Sequence, residues 1–259
     1  LLCASATNSN AVLKLFNGDK ASMYYSDPPF NIGLSYGKGV GNKSNYGGNV
    51  DDSKTPEAYK EFINQTLKSA LPVLTKDTHV FMWCDEAWVW VFQTLYNELN
   101  IKNRRLNIWL KNNSSPTPNV AFNKATEFCV YGTIGKPFLS PEKTNLNEIQ
   151  NKEAGAGNNL FEYVSNVWAT KRLAASKYNH PTEKNPELHE KAILRCTKPG
   201  GIIFDSFSGS ASTMICAEQL GRKVYSTELS EVFCDLAIRR YEKLTGKKAK
   251  VIKNYYEEI

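Results

Sequence analysis

Short apolar runs alternate along this chain with stretches of helical periodicity, and this alternation restricts the fold more than any other feature. The apolar runs predict strands at 78–84, 106–110, 128–131, 201–204 and 223–227. Helical patterns occupy 58–74, 86–99, 212–220 and 231–244. Strands joined through helices lie parallel in one sheet. The pattern therefore predicts an α/β fold, with a doubly wound, mostly parallel sheet and helices on both faces.

Helix boundaries are marked by local signals at both ends of the chain. Thr55 directly before Pro56 is a typical N-cap and first helical position. Gly246 follows the last helical pattern, where glycine commonly ends a helix. From 133 to 165 the periodicity gives way to Pro, Asn and Glu with a run of small residues. We therefore predict one domain formed by 1–132 and 166–259, with 133–165 as an inserted segment.

The composition is that of a globular protein with a modest excess of positive charge. The 259 residues are 41% hydrophobic and 22% charged, and the formal net charge is +6. A basic balance favours a polyanionic partner, and nucleic acid is the first candidate.

The cysteines and histidines predict neither a disulfide framework nor a metal site. The six cysteines include no C-x-x-C pair, and several lie in apolar runs, as reduced cysteines do. The three histidines, His79, His180 and His189, lack metal-ligand spacing. No apolar stretch has the length of a membrane span, and no cleavable signal is evident. We expect a reducing, cytoplasmic location, with no metal and no membrane.

The turn Asp27-Pro28-Pro29-Phe30 places an acid and an aromatic ring where an apolar strand should end. Two prolines cannot continue a helix or a sheet ladder, so they stiffen this turn. A carboxylate, rigid carbonyls and an exposed ring can hold a flat, amino-bearing base while its nitrogen attacks. An ordinary strand-to-loop turn is the alternative, because Asp-Pro often starts turns.

A second motif, at 202–213, reads as a strand, a turn of small residues and the start of a helix. Such a turn lets a ligand approach the backbone, and the helix N-terminus offers N–H groups to an anion. The next strand ends at Glu228, where a doubly wound nucleotide site places an acid for ribose hydroxyls. We predict that this turn and Asp27 lie at the carboxyl ends of neighbouring strands.

Together with three further elements, these motifs have the order of a known family. The further elements are Asn17-Gly18-Asp19, the strand Ile108-Trp109-Leu110-Lys111, and His180-Pro181-Thr182-Glu183-Lys184. The chain resembles the β-class S-adenosylmethionine-dependent DNA amino-methyltransferases, of the adenine-modifying kind. It departs from the family pattern at Ser206, where proline is usual, at Ala211, where glycine is usual, and at the inserted Asn185. The spacing from Asp19 to Asp27 is also about ten residues short of that family's pattern.

The resemblance implies a seven-stranded methyltransferase sheet, S-adenosylmethionine as cofactor and a flipped-out adenine as target. It implies a catalytic half at 1–132, a target-recognition insert at 133–165 and a cofactor-binding half at 166–259. The implied catalytic residues are Asp27, Pro28, Pro29 and Phe30. The implied cofactor-binding residues are Asp19, Asp27, His180, Thr182, Lys184, Asp205, Phe207, Ser208, Gly209, Ser210, Ala211, Glu228 and Leu229.

DNA contacts follow less directly from the sequence. Basic residues that could bind phosphate, or be ordinary solvated charges, are Arg104, Arg105, Lys111, Lys171 and Arg172. Double-stranded DNA is the expected partner, and a homodimer and a cognate restriction endonuclease are further candidates. Two alternatives stay open: a cytosine-N4 methyltransferase, whose members usually carry Ser in place of Asp27, and a catalytically weak DNA-binding relative.

Overall fold

The computed structural model describes residues 1–34, 52–115, 120–141, 166–171 and 183–252. The strands are β1 (Leu2–Cys3), β2 (Ala21–Ser26), β3 (Leu74–Cys84), β4 (Lys102–Ser115), β5 (Lys124–Ile134), β6 (Val167–Ala169), β7 (Ile202–Asp205) and β8 (Lys223–Glu228). The helices are α1 (Ser9–Phe16), α2 (Pro56–Ala70), α3 (Val89–Glu98), α4 (Glu187–Cys196), α5 (Ser212–Gln219) and α6 (Glu231–Thr245). Short 3₁₀ turns cover Leu71–Val73 and Glu86–Trp88. Within these ranges, no helix is long and apolar enough to cross a membrane.

The strands form one eight-stranded sheet in the order β1-β8-β7-β2-β3-β5-β4-β6. Strands β1, β8, β7, β2 and β3 are parallel, β5 is antiparallel to both β3 and β4, and β6 is parallel to β4. The predicted mostly parallel sheet is confirmed. Within the described residues it has eight strands rather than the predicted seven. The shortest, β1 and β6, have only two and three residues, too few to give a periodic signal.

Apolar side chains cover both faces of the sheet, as the doubly wound prediction requires. Tyr24, Met82 and Phe204 lie in one buried cluster with side chains of α1, α2 and α3. Their strand neighbours Trp83 and Ile203 lie in a second cluster with side chains of α4 and α5. Because successive side chains of a strand point to opposite faces, these two clusters are the two sides of the sheet.

The local signals at the helix ends behave as predicted. The side chain of Thr55 accepts a hydrogen bond from the backbone N–H of Ala58, and Pro56 is the first residue of α2. Helix α6 ends at Gly246, which has a φ of 70°. The left-handed conformation at that position favours glycine.

Strands β2 and β7 lie at the point where the winding of the sheet reverses. From β2 the chain proceeds to β3 on one side, whereas β7 and β8 lie on the other. Tyr24 pairs with Phe204 across the two strands, so Asp27 and the turn after Asp205 emerge at the same edge. Ligands of doubly wound sheets bind in the crevice at this edge. The predicted neighbourhood of the two motifs is confirmed.

Asp19 lies at the opposite edge, which corrects its predicted role in cofactor binding. It precedes β2, about 26 Å along the strand from Asp27 at roughly 3.3 Å per residue, and it accepts a hydrogen bond from Tyr225 Oη. The segment that reaches the edge where β2 and β7 end is instead the one after β1, where Ala4 N–H donates to the Glu228 carbonyl at 2.9 Å. A two-residue strand gives no sequence signal, so the segment after β1 could not be recognised, and Asp19 in the turn after α1 was predicted in its place.

The beginning of the predicted insert belongs to the core. Strand β5 continues to Ile134, the Phe138 carbonyl lies 2.7 Å from His79 Nε2, and Ser140 N–H donates to the Arg195 carbonyl at 2.8 Å. Residues 142–165, the rest of the insert, lie outside the described ranges.

Ala211 sits in an unfavourable backbone conformation at the start of α5. Its φ is 62° and its side chain is fully buried; the left-handed region costs an L-residue about 1–2 kcal/mol. We predict that Ala211→Gly is about 2–3 kcal/mol more stable to unfolding than Ala217→Gly, because it loses the left-handed strain and avoids the cost of about 1 kcal/mol for glycine inside a helix. Ala217 is equally buried but lies within the helix. Urea denaturation measures both variants, and a difference of only about 1 kcal/mol, the helix-interior cost alone, would show that the conformation of Ala211 carries no cost.

Candidate active site

The Asp-Pro-Pro-Phe turn is held in place by hydrogen bonds to its own backbone. The Pro29 carbonyl accepts a bond from Tyr59 Oη at 2.8 Å. The buried carboxylate of Asp52 accepts backbone N–H bonds from Asn31 at 2.7 Å and from Leu34 at 2.8 Å. Asn31 itself has a φ of 56°. Asp52 and Tyr59 were not predicted as site residues, because neither belongs to a motif.

One oxygen of Asp27 is anchored and the other is not. Asp27 Oδ2 lies 2.6 Å from Lys184 Nζ. Asp27 Oδ1 is buried and has no hydrogen-bond partner within the described part of the chain. A buried acceptor left without a donor costs free energy, so this oxygen is suited to receive a donor from a ligand.

Lys184 belongs to a row of alternating charges. Its Nζ also lies 3.4 Å from Glu127 Oε2, and Glu127 Oε1 lies 2.6 Å from Lys111 Nζ. The side chains of Lys184 and Lys111 are only 5% and 7% exposed. The order Lys111, Glu127, Lys184, Asp27 sums to zero charge, which allows four ionised groups to share a poorly solvated place.

Burial and these ion pairs set the protonation of the row. Burial raises the pKa of Asp27, and Glu127 adds to this, whereas the Lys184 ammonium opposes it. Burial disfavours the charged form of Lys184, but Asp27 and Glu127 outweigh it and raise the pKa of Lys184. Burial likewise works against Glu127, but Lys184 and Lys111 lower its pKa. Lys184 and Glu127 are therefore charged at neutral pH.

Aromatic rings surround the ammonium group of Lys184. Lys184 Nζ lies 5.1 Å from the centroid of the Phe30 ring and 5.5 Å from that of Trp83, within the range of a cation–π contact. Phe30 is only partly buried. A carboxylate, an ammonium group and an aromatic face thus converge beside the crevice.

The turn after β7 presents a second set of polar groups. Glu228 accepts N–H bonds from Gly209 at 2.8 Å and from Ser230 at 2.9 Å, one on each carboxylate oxygen. Ser208 N–H donates to the Thr227 carbonyl at 3.0 Å. The Ser208 hydroxyl is buried without a partner among the residues described. The turn therefore leaves a hydroxyl and the N-terminus of α5 open to a ligand.

Three carboxyl groups act on one another across the crevice. Burial raises the pKa of Asp205 to about 8, and the charges of Asp27 and Glu228 contribute. Burial also raises the pKa of Glu228, although its backbone N–H bonds oppose this. Acids crowded in this way favour a ligand that carries positive charge.

Ser206, directly after β7, bonds to side chains of both neighbouring strands. Its hydroxyl contacts Tyr24 Oη and lies 3.1 Å from Ser26 Oγ, and its carbonyl accepts a bond from Thr227 Oγ1 at 2.8 Å. The residue that departs from the family's proline thus links β7 to both neighbouring strands.

Arg240 of α6 is a further residue that the sequence did not single out. Its Nη1 donates to the Ser210 carbonyl at 2.6 Å and lies 2.7 Å from Glu183 Oε1. It ties the turn after β7 to the residue before Lys184. An arginine on a helix rich in charged residues resembles an ordinary solvated side chain, so the sequence did not indicate this contact.

The remaining predicted cofactor residues differ in their surroundings. Phe207 packs on Phe62, with ring centroids 5.8 Å apart, and Ser210 is buried. Leu229 is 65% exposed beside Glu228. His180 and Thr182 lie outside the described residues.

The predicted DNA-binding residues do not form one surface. Arg104 and Arg105 are exposed near the start of β4, about 20 Å along the strand from Lys111 and therefore near the amino edge. Lys111 is buried in its ion pair with Glu127, which corrects its predicted phosphate contact. Lys171 is exposed just after β6, at the carboxyl edge. Arg172 lies outside the described residues.

Comparison with known proteins agrees with this geometry. A family model described as DNA methylase matches residues 21–239. The chain is 24% identical to the Type II methyltransferase M.BamHI of Bacillus amyloliquefaciens, over 95% of this chain and 60% of that protein. It is 25% identical to the DNA adenine methyltransferase YhdJ of Escherichia coli, over 90% of this chain and 80% of that protein. The chain thus spans three fifths of the length of M.BamHI.

Solved structures share the fold at lower identity. The complex of M1.HpyAVI with SAM has a TM-score of 0.65 and 19% identity, and covers 93% of this chain and 97% of its own. The cytosine-N4-specific PvuII DNA methyltransferase has a TM-score of 0.64 and 15% identity, and covers 90% of this chain and 87% of its own.

The elevated pKa of Asp205 predicts a pH-dependent stability. Between its ordinary value of 3.8 and about 8, the folded state binds more protons than the unfolded state, so stability falls as pH rises. We predict that Asp205→Asn removes this decline and adds on the order of 2–5 kcal/mol of unfolding free energy above pH 8. Urea denaturation from pH 5 to 9 measures it.

The control for this experiment is Asp235→Asn, which changes an exposed carboxyl on α6. It should keep the decline of the unmodified protein. An Asp205→Asn curve parallel to that of the unmodified protein would show that Asp205 is ionised throughout this range.

Proposed function

The chain belongs to the DNA methylase family whose model covers residues 21–239, and on that basis we propose that it methylates the N6 amino group of adenine in double-stranded DNA, with S-adenosylmethionine as donor. The observation that carries the proposal is the unpartnered, buried Oδ1 of Asp27, held at the edge where β2 and β7 end. An acceptor fixed there can bind the hydrogen of an amine.

Two acceptors on the turn can orient the amine. An exocyclic amine is a poor nucleophile because its lone pair is delocalised into the ring. Hydrogen bonds from its two hydrogens to Asp27 Oδ1 and to the Pro28 carbonyl would free that lone pair. Among the described residues, no donor bonds the Pro28 carbonyl, whereas Tyr59 bonds the Pro29 carbonyl. Tyr59 thereby fixes the turn without competing for the amine.

Phe30 supplies a face for the base. Stacking of a base on an aromatic side chain contributes about 1–3 kcal/mol, which offsets part of the few kcal/mol needed to extrude the base from the duplex. Lys184 lies over the same ring and holds Asp27 by its other oxygen. Attack then depends mainly on position, with reacting atoms about 3–3.5 Å apart.

The residues around the turn after β7 fit the proposed cofactor. The Ser208 hydroxyl and the N-terminus of α5 would bind its carboxylate, and Glu228 lies where an acid can accept ribose hydroxyls. The crowded carboxyls Asp27, Asp205 and Glu228 suit its positive charge. S-adenosylmethionine, when bound, supplies an electrophilic methyl group. His180 and Thr182 stay predictions for the same ligand.

The proton released by the amine needs an acceptor, and Asp27 is positioned for it. Burial raises the pKa of Asp27, so its carboxylate binds a proton more readily than an exposed one. Lys184 stays charged and holds the side chain in place. The chain can therefore accept the proton without a histidine.

A cytosine-N4 activity is the second candidate function. The fold is shared with the cytosine-N4-specific PvuII enzyme, and the same acceptors could bind the cytosine amine. We favour adenine because Asp27 stands where cytosine-N4 enzymes usually carry Ser. A catalytically weak DNA-binding relative is the remaining alternative, and the departures at Ser206, Ala211 and Asn185 favour it.

The partners follow from the proposed reaction. Exposed Lys171 at the carboxyl edge is our proposed phosphate contact, and residues 142–165, the part of the predicted insert beyond the core, are our proposed target-recognition segment. A homodimer and a cognate restriction endonuclease are also proposed, the latter because several relatives are Type II methyltransferases.

The reaction is tested by transfer of a tritiated methyl group to duplex DNA, with mass spectrometry to identify the methylated base. We expect N6-methyladenine. Asp27→Asn should lower the rate about 100- to 10,000-fold, the usual range for a positioned proton acceptor. S-adenosylmethionine should still bind to this variant, because the turn after β7 is unchanged.

Asp19→Asn is the matched control, because Asp19 lies at the opposite edge, and it should leave the rate unchanged. N4-methylcytosine as product would establish the second candidate. Cofactor binding without transfer to any DNA would favour the weak relative, and equal activity in Asp27→Asn would exclude the mechanism.

A further inference from the structure

Two charged side chains of the β4–β5 hairpin, Lys111 and Glu127, reach the candidate site through Lys184. Glu127 pairs with Trp109 across the hairpin, and Leu110 pairs with Thr126, so Lys111 lies diagonally from Glu127. Their 2.6 Å ion pair has side chains only 7% and 18% exposed. A buried pair of this kind needs further partners, and Lys184 supplies one.

Lys184 is shared between two carboxylates. It lies 2.6 Å from Asp27 Oδ2 and 3.4 Å from Glu127 Oε2. Lys111 contacts the other oxygen of Glu127. How strongly the Lys184 ammonium pairs with Asp27 rather than with Glu127 therefore depends on how far Lys111 neutralises the charge of Glu127.

Resting on the proposed function, we propose that Lys111 and Glu127 are positioning residues, which set how Lys184 is divided between Asp27 and Glu127 and so keep the Asp27 carboxylate ionised and aimed at the target amine. Neither residue would touch the base or the methyl donor. Both would act through Lys184, whose ammonium group lies within 4 Å of the carboxylates of Asp27 and Glu127.

The two residues should act in opposite directions. Without the charge of Lys111, Glu127 attracts Lys184 more strongly, and Asp27 loses part of its counter-ion. Without the charge of Glu127, Lys184 serves Asp27 alone. Removing both charges leaves the Asp27–Lys184 pair by itself, close to its present balance. A pair that served only to pack the hairpin would produce no such cancellation.

The other titratable groups that face Asp27 come from every neighbouring element and would be left in place. They are Tyr25 of β2, Tyr59 of α2, Cys84 of β3, Cys129 of β5 and Asp205 of β7. In the described chain none of these is a cation, so Lys184 is the group that holds Asp27 ionised. A change in the titration of Asp27 in the hairpin variants would therefore be traceable to Lys184.

The test is the pH profile of kcat/KM for methyl transfer to duplex DNA, with the unmodified protein, Glu127→Gln, Lys111→Met and the double variant. We expect the acidic limb to move down by about half a unit or more in Glu127→Gln and up by as much in Lys111→Met. The double variant should return to within about 0.3 unit. The Kd for S-adenosylmethionine should stay within about threefold in all of them.

A readout that needs no activity separates this inference from the proposed function. The carboxyl carbon-13 shift of Asp27 in the labelled protein without cofactor should titrate with the same opposite shifts. Absence of methyl transfer by the unmodified protein would overturn the proposed function alone. Active protein whose Asp27 titration is the same in every variant would overturn the positioning role alone.

The controls separate positioning from structure. Lys60→Met and Glu98→Gln remove the charges of an exposed pair 2.8 Å apart and should shift neither readout. If Lys111→Met or Glu127→Gln fails to fold, Lys111→Arg and Glu127→Asp keep the charges and should hold the limb within about 0.3 unit. Shifts in the same direction for the two hairpin residues, or additive losses in the double variant, would overturn the proposal.

Discussion

The ion pair between Asp27 and Lys184 is the contact on which the rest of the site depends. It joins residues 157 positions apart in sequence, and it lies where water is largely excluded. Taking a charge out of water costs several kcal/mol unless a partner and further hydrogen bonds compensate it. This requirement accounts for Glu127 and Lys111 as well, since Lys184 alone could not balance two carboxylates. The hairpin, the β2 turn and the segment before α4 are thereby fixed to one another.

Most of the strands and helices could be predicted from the sequence, because each has a local pattern of apolar residues. Apolar runs mark β3, β7 and β8, and small residues before a helix mark the turn after β7. The ends of β4 and β5 were missed because their polar residues take part in the sheet ladder without an apolar signal. Strand β1 was missed because two residues show no period, and this error placed Asp19 at the wrong edge.

The site itself was only half predictable. Asp27, Phe30 and the turn 205–211 are motif residues, so their chemistry could be inferred from their types and spacing. Glu127, Asp52 and Arg240 act through contacts between distant segments, which no local pattern reveals. The same holds for Lys111, since a lysine in a strand looks solvated until its partner across the hairpin is known. Ser206 was noted as a departure from the family pattern, but its contacts with β2 and β8 could not be inferred from the sequence.

Because β2 and β7 are neighbouring strands, the distance between the turns that follow them is also fixed. Neighbouring strands of any sheet are spaced by about 4.8 Å, and the two turns begin directly where these strands end. In the proposed reaction, the spacing of the strands therefore sets the distance between a methyl donor held by one turn and an acceptor held by the other. No side-chain substitution can change it, because backbone hydrogen bonds determine it. For the proposed methyl transfer, divergence of the residues around the crevice can therefore alter which base is bound while the distance between the two turns stays constant.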